Sequence, residues 1–540
     1  MPLLGISEDY PKNSMVDWDL LSTPQTSAGG RRIHYAQGKT LGGSSALNTM
    51  AYHRATVGSY QLWADVVGDQ SYTFSRLLDY FKQSSTLTPP NFKKRNASNA
   101  TALYDSAAFD NRFHGPLQVS WANWVDPTQS WLARALQAIG QTLSPSGLSS
   151  GTVIGGAWVP TTIDPKDATR STSKSSYLEA VLQNKKARIT VHLHSQASKV
   201  IFDRTKRATG VAVLSDGKEY VISARKEVVL SAGVFHSPQI LQLSGKVSYS
   251  LALAARTNSS GIGPAKLLYS HSISVISDLA GVGQNLQDQI FFNVLRGISV
   301  PNTGTYLATP AQQAFAVNQY LTNATGPYSS AGGYLSFEKL PAKSRESLSP
   351  RTSDLLAKFP SDWPEIEYIA SGFPGDFLNL TTVGAISGTL LTPSSKGNVT
   401  IKSSSILDQP VIDLNWLGDP ADGEILVAAF KRVREAWNSS AIANIVVGPE
   451  ITPGASVSTD AQILEFIRTA AQPIWHATST CAMGKAGQPG AVVDSRARVF
   501  GVKGLRVVDA SAIPFSLPGH PQSSVYMLAE KIAENILKGR

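Results

Sequence analysis

The stretch Glu227-Val-Val-Leu-Ser-Ala-Gly233 most restricts what this 540-residue chain can fold into. Its apolar run reads as a buried strand closing on a tight turn. The residues that follow, Val-Phe-His-Ser-Pro-Gln-Ile-Leu-Gln-Leu-Ser-Gly245, predict a helix beginning at Ser237-Pro238, because proline suits a first helical turn. Strand, turn and helix in that order form the unit that cradles dinucleotides in α/β proteins. A second apolar strand, 505–509, closes on Val507-Val508-Asp509-Ala510-Ser511, and nucleotide sites of α/β sheets gather at such strand ends.

A chain of this length buries a large core and divides into two or more domains. Lys and Arg outnumber Asp and Glu by 48 to 39, a net charge of +9. The basic residues are scattered, as at Lys93-Lys94-Arg95, Lys185-Lys186 and Arg204 to Arg207, with no basic stripe interleaved with aromatics. A solvated surface is implied and nucleic-acid binding is excluded. The one cysteine, Cys481, rules out an internal disulfide framework, and no Cys/His cluster has zinc spacing. No apolar run has the length of a membrane span.

Along the chain, residues 1–35 read as loop, and Gly38 to Tyr52 as a Gly/Ser-rich turn leading into a helix start at Ala46-Leu47-Asn48-Thr-Met50. Helices are expected over Ser75 to Phe81, Thr128 to Gln141, Ser175 to Gln183 and Val525 to Leu537. Residues 86–125, rich in Asn and Pro, read as surface excursions. Ile189 to Leu193, Ser198 to Asp203, Ala208 to Ser215 and Glu219 to Ser223 read as strands, with Asp216-Gly217 as a turn.

Four blocks carry chemistry. In Gly38-Lys-Thr-Leu-Gly-Gly-Ser-Ser45-Ala-Leu-Asn48, adjacent glycines let the backbone approach an anion, and the hydroxyls donate to it; a plain loop is the alternative. The strand–turn–helix around Gly233 is the second, and Ala280-Gly-Val-Gly-Gln-Asn-Leu-Gln-Asp288 the third. The fourth pairs His476-Ala-Thr-Ser-Thr-Cys-Ala-Met-Gly484 with Leu517-Pro-Gly-His-Pro-Gln522. Histidine titrates near working pH, so two converging imidazoles suit removal of a proton from an alcohol while hydride leaves its carbon. A lone histidine is more often a hydrogen-bonded structural residue; the neighbouring blocks favour the catalytic reading. Trp475 is either a pocket wall or core, and Cys481 reads as a small buried residue rather than a nucleophile.

In this order the blocks resemble the glucose–methanol–choline (GMC) oxidoreductases, from about residue 15 to the end. The tail Leu517-Pro-Gly-His-Pro-Gln-Ser-Ser-Val-Tyr-Met-Leu-Ala-Glu-Lys is most similar to fungal aryl-alcohol oxidases and patulin synthase-like flavoenzymes. The resemblance implies a mixed α/β fold: a Rossmann-like FAD-binding domain and a substrate domain with an antiparallel sheet flanked by helices. It divides the chain into FAD-binding parts at 1–85, 186–300 and 475–540, a cap segment at 86–185 and a substrate-binding domain at 301–474. It places the catalytic base at His476 and a second active-site histidine at His520. Flavin contacts fall at Gly42, Gly43, Ser44, Asn48, Val200, Ala232, Gly233, Asp509 and Ala510. The implied cofactor is FAD. The implied reaction is oxidation of a primary alcohol, aromatic or allylic, with hydride passing to flavin N5 and O₂ or a quinone as electron acceptor. A lyase of the same fold and an inactive truncated glycoprotein remain the alternatives.

Three departures from the family pattern stand out. Relatives open with a strand, a Gly-x-Gly-x-x-Gly turn and a helix; Met1 falls beyond that unit, which predicts a truncated gene model, or, with a true start at Met1, badly impaired FAD binding and a sheet short of a core strand. Removing Lys246 to Gly261 joins Ser244-Gly245 to Ile262-Gly263-Pro264-Ala265 and restores the family's Ser-Gly-Ile-Gly-Pro-Ala. The flanking codons can encode splice-like junctions in matching phase, so a retained intron is expected there. Many relatives have Asp-His where this chain has Asp288-Gln289, and Gln289 receives no role from the pattern. Sequons at Asn96, Asn99, Asn323, Asn379, Asn398 and Asn438, with the one at Asn258 discounted because it falls in the expected insert, predict a glycosylated, secreted product, although residues 1–25 show no signal peptide; a true start at Met1 would make the product cytoplasmic.

Overall fold

The structure is a computed structural model that describes residues 15–95, 97–245, 260–374 and 382–539. Its largest sheet has seven strands. Val446–Thr452, Ile290–Ile298, Thr382–Leu390, Ile366–Pro374, Tyr334–Glu338 and Gly155–Trp158 lie side by side, every neighbour antiparallel, and Gln472–Pro473 pairs with the start of Ile290–Ile298. Helices Pro127–Ala138 and Pro420–Trp437 pack on the central strands. Thr382–Leu390 is buried at every position, so it reads as a run of small and apolar residues rather than an alternation.

Side chains alternate across a strand, and here the alternation separates two tasks. Glu338 and Tyr368 point toward helix Pro420–Trp437, where Arg432 Nη2 donates to Glu338 Oε1 at 2.6 Å and Tyr368 Oη donates to Glu338 Oε2 at 2.5 Å. Their neighbours Phe337 and Glu367 point the other way, to His53 and His520 respectively.

The second core gathers Ala55 to Phe81, Val200 to Val282 and Cys481 to Ile532. At its centre the strand Val228–Leu230 runs parallel to Leu505–Val507, and helix Gly233–Leu243 follows the first. That helix starts at Gly233, four residues before the expected Ser237-Pro238, and Pro238 lies inside it. An internal proline leaves the carbonyl four residues back without its donor. Here Thr480 Oγ1 donates to Val234 C=O at 2.6 Å and fills the gap. The strand is also less buried than expected, with Val229 42% exposed.

Other expectations are corrected. The predicted helix start at Ala46–Met50 is a 3-10 turn, Gly43–Ala46; beyond it Arg170 Nη1 captures Asn48 C=O, and Met50 takes φ +65°. Ile189 to Leu193 forms no strand, since no partner covers the exposed Ile189, Val191 and Leu193. Residues 86–125 are not all excursion: Leu117–Val119 pairs in parallel with Ser85–Leu87, and Leu117, Val119 and Trp121 are buried. In the expected front loop, Leu20–Leu21 pairs with His34–Tyr35. Residues 246–259 of the expected insert lie outside the described residues. Their flanks lie side by side: a Cβ at Gly245 would sit 2.7 Å from Ser260 N. Ser260–Gly263 is a short strand parallel to Ser274–Asp278.

Candidate active site

His476 owes its position to an irregular strand pair. Gln472 and Pro473 pair with Phe291 and Ile290, and Thr478 bridges Gln287. Three residue steps from Gln287 to Ile290 face five from Thr478 back to Pro473, so this side carries two extra residues. A bulge of this kind re-aims side chains. Trp475 within it has φ +59°, a conformation that L side chains rarely adopt and that surrounding contacts must hold. Trp475 is 43% exposed, so it is not core.

The bulge brings His476 against His520, with ring centroids 4.6 Å apart and planes at 68°. His520 follows Gly519 (φ +90°), where a Cβ would lie 2.3 Å from His53 Cε1, so glycine is required for the chain to pass. The His520 backbone N–H donates to His53 Nε2 at 2.9 Å, and the His53 ring lies 5.3 Å from that of His520. His520 Nε2 lies 2.8 Å from Glu367 Oε1, and Glu367 is fully buried. A carboxylate oxygen accepts, so His520 carries its proton on Nε2.

The same reasoning fixes the other two rings. Gln289 Nε2 donates to Leu517 C=O at 2.7 Å and to Ser516 Oγ at 3.2 Å, which turns Oε1 toward His476 Nδ1 at 2.8 Å. An amide oxygen can only accept, so His476 holds its proton on Nδ1 and keeps the Nε2 lone pair. Burial, with His520 and His53 adding to it, holds His476 well below the usual histidine range, so the ring stays neutral. His53 is pinned by a backbone donor on Nε2 and the Arg54 carbonyl 3.0 Å from Nδ1. Burial first, then His520, pushes it down to about 3.

The remaining expected residues gather on the other side. Gly42 and Gly43 both take positive φ, +96° and +52°, and a Cβ at Gly43 would meet no atom within 4 Å. Ser44 is exposed beside this opening. Asn48 Nδ2 donates to Gln522, two residues beyond His520, which ties this turn to the histidines. Asp509 accepts from Gly233 N–H (2.9 Å), Ser237 Oγ (2.6 Å), Ser511 N–H (2.8 Å) and Ser511 Oγ (2.5 Å). Gln37 Nε2 donates to Ala232 C=O at 2.8 Å. Ala510 C=O accepts from Ser479 N–H at 3.3 Å, which sets the His476 segment along the Asp509 turn. Val200 is buried in the second core, its N–H on Ser244 Oγ at 3.0 Å. Cys481 is buried, and burial, then Asp509, pushes its thiol well up, so it is inert.

This donor set fits an anionic dinucleotide: an open glycine turn, an exposed hydroxyl and a helix start organised by a carboxylate. Three residues near the rings received no role from the sequence. Gln289 adjoins the Ala280–Asp288 block and His53 lies just after Asn48, so proximity could have marked both. Nothing marks Glu367.

A nucleotide-side core packed on an antiparallel substrate sheet, with paired imidazoles between, is the architecture of FAD-dependent oxidoreductases. The chain belongs to the GMC oxidoreductase family, whose models match residues 22–291 and 393–529. A dehydrogenase of Emericella nidulans is 43% identical over 99% of this chain and 85% of its own length. Patulin synthase of Penicillium expansum is 42% identical over 96% of the chain and 81% of its own. The solved structure of a fungal aryl-alcohol oxidase is similar with a TM-score of 0.82 at 25% identity, covering 97% of this chain and 89% of that one. The cofactor is FAD. Among the described residues, no helix is long and apolar enough to cross a membrane.

Proposed function

We propose that this protein oxidises a primary alcohol, aromatic or allylic, to the aldehyde, with His476 as general base. The observation that carries the reading is the Nδ1–H of His476 fixed on Gln289, which leaves the Nε2 lone pair beside His520. Nε2 takes the hydroxyl proton, and a positioned base of this kind contributes about 10²–10⁴-fold. Burial disfavours the imidazolium at His476, so the proton passes on to His520, where the Glu367 carboxylate balances the charge. His520, its Nε2–H held on Glu367, offers the Nδ1 lone pair that receives this proton. Gly42, Gly43, Ser44, Asn48, Ala232, Gly233, Asp509 and Ala510 would hold FAD, whereas Val200 is fully buried with its N–H on Ser244 and its C=O on Gly245. Bound FAD supplies the acceptor for the hydride that leaves the carbinol carbon.

Similarity to an aryl-alcohol oxidase supports the aromatic substrate class. O₂ or a quinone completes the cycle. We assign the product to the secretory pathway on its sequons: Asn323 and Asn438 are exposed, whereas the Asn99 amide already donates to Ser130 C=O at 2.8 Å. Asn96, Asn258 and Asn379 lie outside the described residues. Anaerobic addition of aromatic, allylic and aliphatic primary alcohols to the FAD-loaded protein tests the reading. Bleaching of the flavin with formation of the aldehyde is expected for the first two. Substrate cleavage without bleaching would establish the lyase alternative instead.

A further inference from the structure

We infer that the consecutive pair Asp288-Gln289 is a clamp that positions His476, Asp288 holding its backbone and Gln289 fixing which ring nitrogen is free. The inference rests on His476 as base for its catalytic meaning; the clamp itself is a statement about conformation and tautomer.

Neighbouring residues in an extended segment point to opposite sides, so one dipeptide can reach two parts of the same target. Asp288 faces the backbone N–H groups of His476 and Gln289. Its Oδ1 accepts from Tyr35 Oη at 2.8 Å and its Oδ2 from Trp416 Nε1 at 3.2 Å. Tyr35 Oη in turn accepts the Ala477 N–H at 2.8 Å, so Asp288 holds the backbone just beyond Trp475 through Tyr35. Those bonds hold the two-residue bulge and the positive φ of Trp475 in place. Without them the segment gains by relaxing toward the regular register, which would turn His476 away.

Gln289 acts on the ring. Rotating its amide by half a turn would point Nε2 at His476 and leave Leu517 C=O and Ser516 Oγ facing Oε1, so two buried hydrogen bonds oppose the flip. The orientation is therefore determined, and with it the Nδ1–H tautomer of His476. The ring can accept a proton only at Nε2.

The test uses the FAD-loaded full chain and two variants. In Gln289→Leu, kcat for an aromatic primary alcohol falls between about 10-fold and 10⁴-fold, the upper figure being the loss seen when a carboxylate that sets a catalytic histidine's tautomer becomes an amide. FAD content stays unchanged. In Gln289→Glu a carboxylate accepts from Nδ1–H, and the acid limb of kcat/KM moves to higher pH, a change that a purely structural role would not produce. The readout independent of activity is the ¹⁵N spectrum of histidine-labelled protein, with His476 identified by the signal lost in His476→Ala. Wild type should show a single neutral Nδ1–H form, and Gln289→Leu a mixture of tautomers. An unchanged His476 signal in Gln289→Leu, or an unmoved acid limb in Gln289→Glu, overturns the clamp. Full flavin reduction by His476→Ala would instead defeat the assignment of the base and leave the spectroscopic test of the clamp standing.

Discussion

The strand that carries Glu367 is paired on both sides within a seven-stranded sheet, whereas among the described residues the strand that leads to Gly233 has one partner and leaves Val229 42% exposed. On the substrate side, many backbone ladders and two covering helices fix the geometry, so no single side chain decides it. On the cofactor side the turn at Gly233 is gathered onto one carboxylate, Asp509, which receives hydrogen bonds from three residues. Distributed restraint tolerates the loss of a member; convergent restraint does not. The histidines lie between the two and draw on both.

Asp509→Ala should be the most damaging change that leaves the histidines intact. It strands four buried or half-buried donors at a cost of about 1–3 kcal/mol each, and relaxation will recover part, so a loss of about 4 kcal/mol is expected. Urea unfolding and the flavin-to-protein ratio should fall together. A stable variant with full flavin would show that the cofactor side is as redundant as the sheet.

Asp288 gives a pH-dependent version of the contrast. Burial, the largest cause, pushes its carboxyl up to about 7 against the hydrogen bonds that favour the anion. The folded state then keeps a proton that the unfolded chain releases near pH 4. That contribution is present in full below about 4 and is lost as pH rises through about 7. Its size is about 4 kcal/mol, at about 1.4 kcal/mol per unit. Asp288→Asn should remove this slope, so unfolding curves at about pH 5 and about pH 8 should lie closer together than in wild type. An unaltered difference would mean that the carboxyl is not raised.

Glu367→Leu should lower turnover by about 10-fold and cost about 1–3 kcal/mol of stability, because it leaves the His520 Nε2–H without its acceptor. Loss of folding would show that the sheet depends on this residue after all. The smallest effect belongs to Gly43→Ala. Its backbone is left-handed but faces open space, so the cost is conformational, about 1 kcal/mol. A larger drop in flavin content than in stability would mark this opening as occupied by the cofactor.

How much of this was legible in the sequence follows the same division. His476, His520, Asp509 and Gly233 sit in compact blocks whose residue types announce their chemistry, and the structure brings those blocks together. The hairpin at Asp216-Gly217 and the helices near 74–84 and 522–537 follow local rules and form close to where periodicity puts them. What could not be read depends on distant partners. Helix Gly233–Leu243 starts before Pro238 because a hydroxyl 246 residues away satisfies the freed carbonyl. Glu367 meets His520 across 153 residues, and nothing in Ile366-Glu-Tyr-Ile-Ala-Ser-Gly sets it apart from a solvent-facing strand residue. Ile189 to Leu193 alternates as a strand should, but alternation forms no strand without a neighbour to pair with.

The proposed reaction turns on a neutral His476 whose Nε2 removes the alcohol proton. Single-turnover reduction under anaerobic conditions, comparing wild type with His476→Gln at equal flavin content, tests this most directly. A slowing of about 10²–10⁴-fold is predicted. Reduction of the variant at the wild-type rate would contradict the account.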